Sequence, residues 1–418
     1  MAIHTAKAKP IKRAAAAGQP TFVGAARPKY VIPGTDVWEA ALGRTRWLFE
    51  EFDGKVSVSN SGGKDSTVVV ELALRVARER GELPLNVTWL DQECEFAATV
   101  DYQRWMADRP EIKFHWYQVP FKLFNATNHE DPWLNVWGEG EEWVRPKEPD
   151  SIHDNPFRRK DGSVVDRFKE LLSEINMASG GGAILTGMRC EESPARRLFM
   201  TTAPSYKWVT WGSEGWHREG CEDYWMFHPV YDWSYRDVWK AIHDNGWHYN
   251  THYDTQFRYG VPVKNMRVSN YHHETALSAL LYLQEAEPET WDAATRRLTG
   301  INTFGQLQKD AYVRELPYMF KDWDEYLEHL ISHLVENPEY QATFRKMHRN
   351  MVNALPGMDR ARIAQVMAVA VCGNDLYGTT TDMFMVNNRG KMKAAAAAKR
   401  KAENTDDAFT TGRDEEVA

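Results

Sequence analysis

Cysteine is scarce in this chain: Cys94, Cys190, Cys221 and Cys372 are four among 418 residues, far apart and with no CxxC pair. That spacing excludes an obvious zinc or iron–sulfur motif and offers no disulfide framework, so a reducing, cytoplasmic setting fits. Long apolar runs are missing as well. None approaches the ~20 residues of a membrane span, and the basic, alanine-rich first residues lack the apolar stretch of a signal peptide; no membrane partner is expected. The net charge of −8 argues against a generally basic nucleic-acid coat, though not against a local basic groove. No HxH or HExxH pattern gathers His217, His228, His243, His248, His252, His272 and His273 into a metal site. Asn250-Thr251-His252-Tyr253-Asp254 and Tyr271-His272-His273-Glu274 either supply metal ligands or a general base or, as is expected here, serve packing and surface roles. No internal repeat is present.

Tryptophan, by contrast, is abundant, with 17 residues. Its ordinary use is core and interface packing, yet several of these residues cluster in loop-like stretches. The most informative run is Ser61-Gly62-Gly63-Lys64-Asp65-Ser66, placed between a strand-like Lys55–Asn60 and a helix-like Thr67–Arg80. Gly62 and Gly63 let the backbone turn tightly and approach a phosphate. The following amides open a helix, so unpaired N–H groups and the positive dipole end face one spot. Ser61 and Ser66 add hydroxyl donors, and Lys64 adds a mobile positive charge. This is not the Walker loop, because Asp65 rather than Ser or Thr follows the lysine.

A chain of 418 residues can bury a sizeable core and holds one large domain or one plus an appendage. Residues 1–34 read as a flexible arm. Thr35 or Asp36 caps a helix from Val37 to about Phe52, with Glu39 placed for a capping box. Strands are expected at Val56–Val58, Leu85–Leu90 and Ile112–Val119, and helices at Thr67–Arg80 and Ala97–Ala107. The rhythm predicts an α/β fold, a doubly wound parallel sheet of about five strands with helices on both faces. Residues 121–162, rich in Trp, Pro, Asp and Asn, read as an ordered Trp-rich insertion into a nucleotide-binding domain spanning 35–270. A helix at about Val165–Met177 and a fourth strand at Ala183–Thr186 follow, and residues 234–246 read as helical. Residues 271–386 read as a helical C-terminal subdomain: Ala276–Glu285, Pro288–Thr299, Phe304–Val313, Trp323–Glu336, Pro338–Ala354 and Asp359–Val371. Residues 387–418 form a low-complexity tail whose Lys/Arg run is either a solvated face or a nucleic-acid contact.

Two further constellations carry chemistry. Asp91 closes the second strand, where a doubly wound sheet places its ligand crevice. It would hold a ribose hydroxyl or a magnesium ion, or else cap the next helix. Gly187 ends a strand at the same edge, in Thr186-Gly187-Met188-Arg189-Cys190-Glu191-Glu192-Ser193, with Arg196 and Arg197 following. Arg189 can reach a phosphate or sulfate bidentately, and Glu192 can pair with Arg196 at i,i+4. Cys190 beside Arg189 is either an activated nucleophile or an inert thiol. The Tyr, Trp and Arg residues of 206–271 either pack the core or stack the bases of a single strand.

The Ser-Gly-Gly-Lys-Asp-Ser loop resembles the PP-loop of the ATP-pyrophosphatase superfamily. With Gly187–Ser193, Arg196, His228-Pro229-Val230-Tyr231-Asp232-Trp233 and Asp237-Val238-Trp239, the chain resembles the phosphoadenosine phosphosulfate (PAPS) reductase family over about residues 50–300. Tyr249-Asn250, Tyr253-Asp254, Gly260-Val261 and Met266-Arg267 resemble one branch of it, found in phages and prophages, with an extra C-terminal domain of unknown function. That branch includes IbrA-type regulators, which pair with a ParB-like partner. The resemblance implies an adenine nucleotide alpha-hydrolase-like fold and nucleotide contacts from Ser61, Gly63, Lys64, Asp65, Ser66, Gly187 and Arg189. The family's redox element, Glu-Cys-Gly-x-His, does not occur; Cys372 sits in Ala370-Val371-Cys372-Gly373-Asn374.

Three functions are therefore open. The first is an enzyme that binds ATP or a related adenine nucleotide with magnesium, breaks the α–β phosphate bond and activates an acceptor. Lys64, Asp65 and Arg189 would be its catalytic residues, Ser61, Gly62, Gly63, Ser66, Asp91, Gly187 and Arg196 its nucleotide ligands, and Asp65 and Asp91 its magnesium ligands. The second is reduction of PAPS or adenylylsulfate, with Cys190 or Cys372 as the thiol. The third is a nucleotide-gated regulatory module acting beside a ParB-like protein on DNA.

Overall fold

The computed structural model describes residues 35–388 apart from 129–132, 180–181, 202–204, 208, 216–223, 274–275, 277–278, 302–314, 379, 383 and 387. The N-terminal arm, the tail beyond Asn388, the Phe304–Val313 stretch and His217 lie outside the described residues. The chain divides into two compact units. One holds the described residues up to Lys122 together with those of Asn135–Glu141 and Arg145–Val268; the other holds the described residues of Leu123–Leu134, Glu142–Val144 and those from Ser269 onward.

The first unit is built on alternating strands and helices. Asp36 caps α1 (Val37–Glu51) by accepting the Glu39 amide at 2.8 Å, which satisfies one of the donors a helix start leaves open. After β1 (Val56–Ser59) comes α2 (Lys64–Arg80), ended by Gly81 in the left-handed region. Then follow β2 (Leu85–Leu90), α3 (Ala97–Ala107) and β3 (Ile112–Tyr117). β4 (Phe121–Phe124) and β5 (Trp133–Val136) form a separate two-stranded sheet inside the Trp-rich insertion. The chain returns through α4 (Phe168–Ala178), β6 (Gly182–Leu185), α5 (Pro194–Thr201), β7 (Gly212–Glu214), β8 (Tyr224–Phe227), α6 (Tyr235–Asn245) and α7 (His252–Arg258).

The main sheet runs β3-β2-β1-β6-β8-β7. All pairings are parallel except β7 with β8, so the expected parallel sheet is present and gains an antiparallel edge strand. Strand order grows one way from β1 to β3 and then restarts on the other side of β1 at β6. The carboxyl ends of β1 and β6 thus flank the switch point, where an open α/β sheet forms its crevice. Val56, Val58, Val87, Ala183, Leu185 and Phe227 are buried from the sheet, and Val68, Val69, Leu72 and Val76 from α2. Arg44 is wholly buried in α1 and donates from Nη1 to Asp232 Oδ1 at 2.8 Å and to the Pro229 carbonyl at 2.6 Å. Trp233 Nε1 donates to the Val37 carbonyl at 3.0 Å. The Asp232-Trp233 pair therefore clamps α1 to the β8–α6 connection.

The second unit is helical over its described residues: α8 (Leu280–Ala286), α9 (Pro288–Arg297), α10 (Trp323–Leu334), α11 (Pro338–Ala354) and α12 (Arg360–Cys372). Leu327, Ile331, Phe344, Met351, Ile363, Met367 and Val371 close its core. Asp322, Asn337 and Asp359 accept amides at the starts of α10, α11 and α12.

Candidate functional site

The loop leaving β1 is shaped by Asn60. Its Oδ1 accepts the Gly62 amide at 3.0 Å and the Ser66 hydroxyl at 2.9 Å, a local turn that fixes the loop from inside. Gly62 sits at φ +73°, a region that a side chain disfavours. Gly63 is the N-cap of α2 and offers no side-chain cap. Lys64 is already the first helical residue. The expected helix start at Thr67 therefore moves three residues upstream, and Lys64, Asp65 and Ser66 form the first turn, where the helix dipole is positive. The Ser66 hydroxyl lies 3.2 Å from that of Ser61 and also donates to the Gly63 carbonyl at 2.9 Å, so it ties the loop together.

Lys64 and Arg189 converge on Asp65. Lys64 Nζ stands 3.0 Å from Asp65 Oδ2, and Arg189 Nε donates to Asp65 Oδ1 at 2.6 Å. Both cations are buried, whereas about a fifth of the Asp65 side chain (19%) reaches solvent. Arg189 also donates to Glu191 Oε2 at 3.0 Å and to the Trp233 carbonyl at 3.2 Å. Glu192 accepts the Arg189 amide at 2.9 Å and pairs with Arg196, the expected i,i+4 partner. Arg196 is pushed below its ordinary value by loss of solvent, then by the neighbouring Arg267 and Arg189. Gly187 explains itself by proximity. A Cβ there would lie 2.6 Å from the Asp65 carbonyl carbon and 2.7 Å from the Ser66 nitrogen. The two loops are pressed together backbone to backbone, as only glycine allows.

The segment from Asn250 to Val268 crosses the same loop. Asn250 Nδ2 donates to the Gly62 carbonyl at 3.1 Å, and the Tyr253 hydroxyl accepts the Lys64 amide at 3.0 Å. Lys64 Nζ reaches the Met266 carbonyl at 3.5 Å and lies 5.4 Å from the Tyr253 ring centroid. Tyr253 is buried, and burial together with Asp65 pushes its phenol well above the usual range, so the hydroxyl keeps its proton. Sequence reasoning assigned no role to Asn60 and did not place Asn250 or Tyr253 against the glycine loop. The available signal was that Asn250 and Tyr253 fall in blocks carrying the family resemblance.

Asp91 is placed differently. Its carboxylate is wholly buried and accepts from Trp116 Nε1 at 2.8 Å, Gln118 Nε2 at 2.9 Å, the Glu93 amide at 2.9 Å and Arg145 Nη2 at 2.6 Å. Its lone pairs are engaged by protein donors, an arrangement that does not present it to a ribose or a metal ion. The alternative cap role does not hold either, because Phe96 occupies the N-cap of α3. Nearby Glu95 is buried, and desolvation followed by the Asp91 charge pushes its carboxyl up to about 8.

Cys190 and Cys372 are not activated. Burial pushes Cys190 up to about 11, outweighing Arg197, and pushes Cys372 up to about 11 as well. His228, His252 and His272 are buried and lowered by desolvation to about 3, 4 and 3, so each stays neutral. His228 Nδ1 lies 2.7 Å from the Thr186 hydroxyl, just before Gly187. Among the described residues no cluster of three His, Cys, Asp or Glu side chains could hold a metal ion. No described helix is long and apolar enough to cross a membrane.

The chain is similar to the uncharacterized protein YbdN of Escherichia coli (strain K12), 27% identical over 288 residues, covering 66% of this chain and 69% of that one. It is similar to an adenosine 5'-phosphosulfate reductase of Staphylococcus saprophyticus, 22% identical over 226 residues, covering 53% and 75%. Among solved structures, a PAPS reductase from Candida auris in a phosphate complex matches 55% of this chain and 89% of its own, at 13% identity and TM-score 0.31. An FMN adenylyltransferase from Candida glabrata matches 54% of this chain and 63% of its own, at 13% identity and TM-score 0.32. The model of the phosphoadenosine phosphosulfate reductase domain matches residues 55–259, the stretch that holds the Ser61–Ser66 loop and Arg189.

Proposed function

We propose that the first unit binds ATP or a related adenine nucleotide at the switch point and cleaves its α–β phosphate bond to adenylate an acceptor. The observation that carries this reading is the convergence of Lys64, on the first turn of α2, and Arg189, from the β6 loop, on Asp65. An acceptor oxygen or nitrogen would attack the α-phosphorus as the bond to the α–β bridging oxygen breaks. The electron pair leaves with pyrophosphate, and the acceptor gives up its proton. Lys64 and the α2 amides would take the charge growing on pyrophosphate, while Arg189 would hold the α-phosphate. Ser61, Gly62, Gly63 and Gly187 would allow the phosphates to approach the backbone.

Magnesium fits this site through Asp65 together with the nucleotide phosphates, the usual way this ion is held; its chemistry would be charge neutralisation on the leaving group. Asp91, engaged by four protein groups, is set aside as its ligand. The sulfonucleotide reductase reading would need a thiolate, and the raised Cys190 and Cys372 thiols count against it. A partner resembling ParB, a prophage origin and a cytoplasmic location belong to the same proposal, on the family resemblance alone.

Phosphorus NMR of the protein with magnesium and ATP tests the reading. AMP and pyrophosphate, lost in Lys64→Ala, are expected. Unchanged ATP in the presence of single-stranded DNA, single-stranded RNA and a ParB-like partner would overturn it.

A further inference from the structure

In a chain of net charge −8, two stretches beside the site carry positive charge alone. The α5 helix holds Arg196 and Arg197 with no carboxylate, and residues 257–268 hold Arg258, Lys264 and Arg267 with none. The two stretches are neighbours. The Met266 carbonyl lies 3.5 Å from Lys64 Nζ, which shares Asp65 with Arg189, a few residues before α5, and Gln256 fixes Arg267 against α7 by bonding its carbonyl at 2.6 Å and its amide at 3.1 Å. Apolar side chains interleave with these cations and face solvent: Phe199 is 50% exposed and Phe257 67%. Phe257 follows Tyr253 by one helical turn, so it lies on the helix face that reaches the Lys64 amide. Phe199 comes within 6.2 Å of the His228 ring, which is bonded to Thr186 at the end of β6.

Large exposed aromatics are costly to leave in water. Arg196 is paired with Glu192 and Arg189 with Glu191, but neither stretch contributes a carboxylate of its own, and such a cation-rich rim attracts polyanions. A ligand answering both features carries phosphates at regular spacing and flat apolar faces between them. We infer that this rim docks single-stranded nucleic acid, with Arg197, Arg258, Lys264 and Arg267 on its phosphates and Phe199 and Phe257 stacking bases. The inference rests on the nucleotide reading above and names the acceptor class for it: a nucleobase or a strand end brought to the PP-loop. A duplex, whose bases are already stacked, offers the phosphates without the faces.

The test is fluorescence anisotropy of the full chain with labelled single strands of about a dozen nucleotides, DNA and RNA in separate arms, without ATP. Binding is expected to be tighter than to the matching duplex and to fall steeply with salt. Phe257→Ala and Phe199→Ala should each weaken it about ten-fold at fixed salt, and Phe257→Trp should restore it. Arg258→Gln should lower the salt slope by about one without changing the single-strand preference. Absence of binding in both arms overturns the inference. So does equal competition by dextran sulfate with no effect of the aromatic variants, which would leave a plain polyanion surface, and so does preferential capture of an acidic peptide. Because the readout needs no turnover, pyrophosphate release tests the nucleotide reading separately.

Discussion

Two carboxylate–arginine pairs lie along one edge of the main sheet, and they differ in what surrounds them. Asp91 and Arg145 meet at the end of β2, where Trp116, Gln118 and the Glu93 amide complete the carboxylate shell and no part of Asp91 reaches water. Asp65 and Arg189 meet at the switch point. There the carboxylate is shared with Lys64, stays partly open to solvent, and sits on the positive end of α2. The first pair is satisfied from within and serves as a bolt between β2, β3 and the insertion. The second brings two buried cations onto one partly exposed carboxylate, with Glu191 also on Arg189, an arrangement a polyphosphate could take over. Residue type and sheet edge do not separate a site from a bolt; the number of protein donors already committed does.

The contrast can be broken most forcefully at Arg145. Removing its side chain leaves Asp91 buried beside the raised Glu95, and such a loss costs about 3–5 kcal/mol. Arg145→Ala should show that drop in urea unfolding, and a change under about 1 kcal/mol would make the bolt reading wrong. At the other pair, Lys64→Ala should leave the unfolding midpoint nearly unchanged while pyrophosphate release falls by about a hundred-fold or more. Equal losses of stability at both sites would erase the distinction.

Glu95 sharpens the same contrast through pH. Its folded value, near 8, lies above the ordinary 4.5 of the unfolded chain. Between those limits the folded state holds a proton that the unfolded state has lost, so stability falls as pH rises through the window. Below 4.5 both states are protonated and the effect vanishes. Glu95→Gln should therefore stabilise the protein at pH 9, by on the order of 5 kcal/mol, and leave it unchanged at pH 4. A mutant curve parallel to the wild type across that range would show that Glu95 is not held neutral.

Much of the first unit is legible from local signals. The helix at Ala97–Ala107 and the strand at Leu85–Leu90 follow from periodicity between breakers such as Gly81 and Pro84. The PP-loop is legible because glycine, lysine and helix start lie within six residues. The short pieces are not: β4, β5 and β7 have three or four residues each, too few for a period, and their pairing is set by distant chain. The role of Asp91 was undecidable for a related reason. Its donors Trp116, Gln118 and Arg145 stand 25, 27 and 54 residues away, and only the fold brings them together. Tyr253, 189 residues from Lys64, was hidden in the same way.

Tyr253 yields the smallest expected effect and the most direct look at the open pair. Its hydroxyl accepts the amide of Lys64, one of the donors a bound phosphate would use. Tyr253→Phe keeps the ring and its packing while removing that acceptor. Without ligand the buried amide then lacks its partner, which costs about 1–3 kcal/mol and should lower the melting temperature. A phosphate oxygen repairs the loss, so inorganic pyrophosphate should bind Tyr253→Phe several-fold more tightly than wild type and restore its melting temperature. If the hydroxyl instead contacts the ligand, affinity falls, and Tyr253 joins Lys64 and Arg189 as a binding group. Unchanged affinity with unchanged stability would mean that the Lys64 amide is not where the phosphate sits.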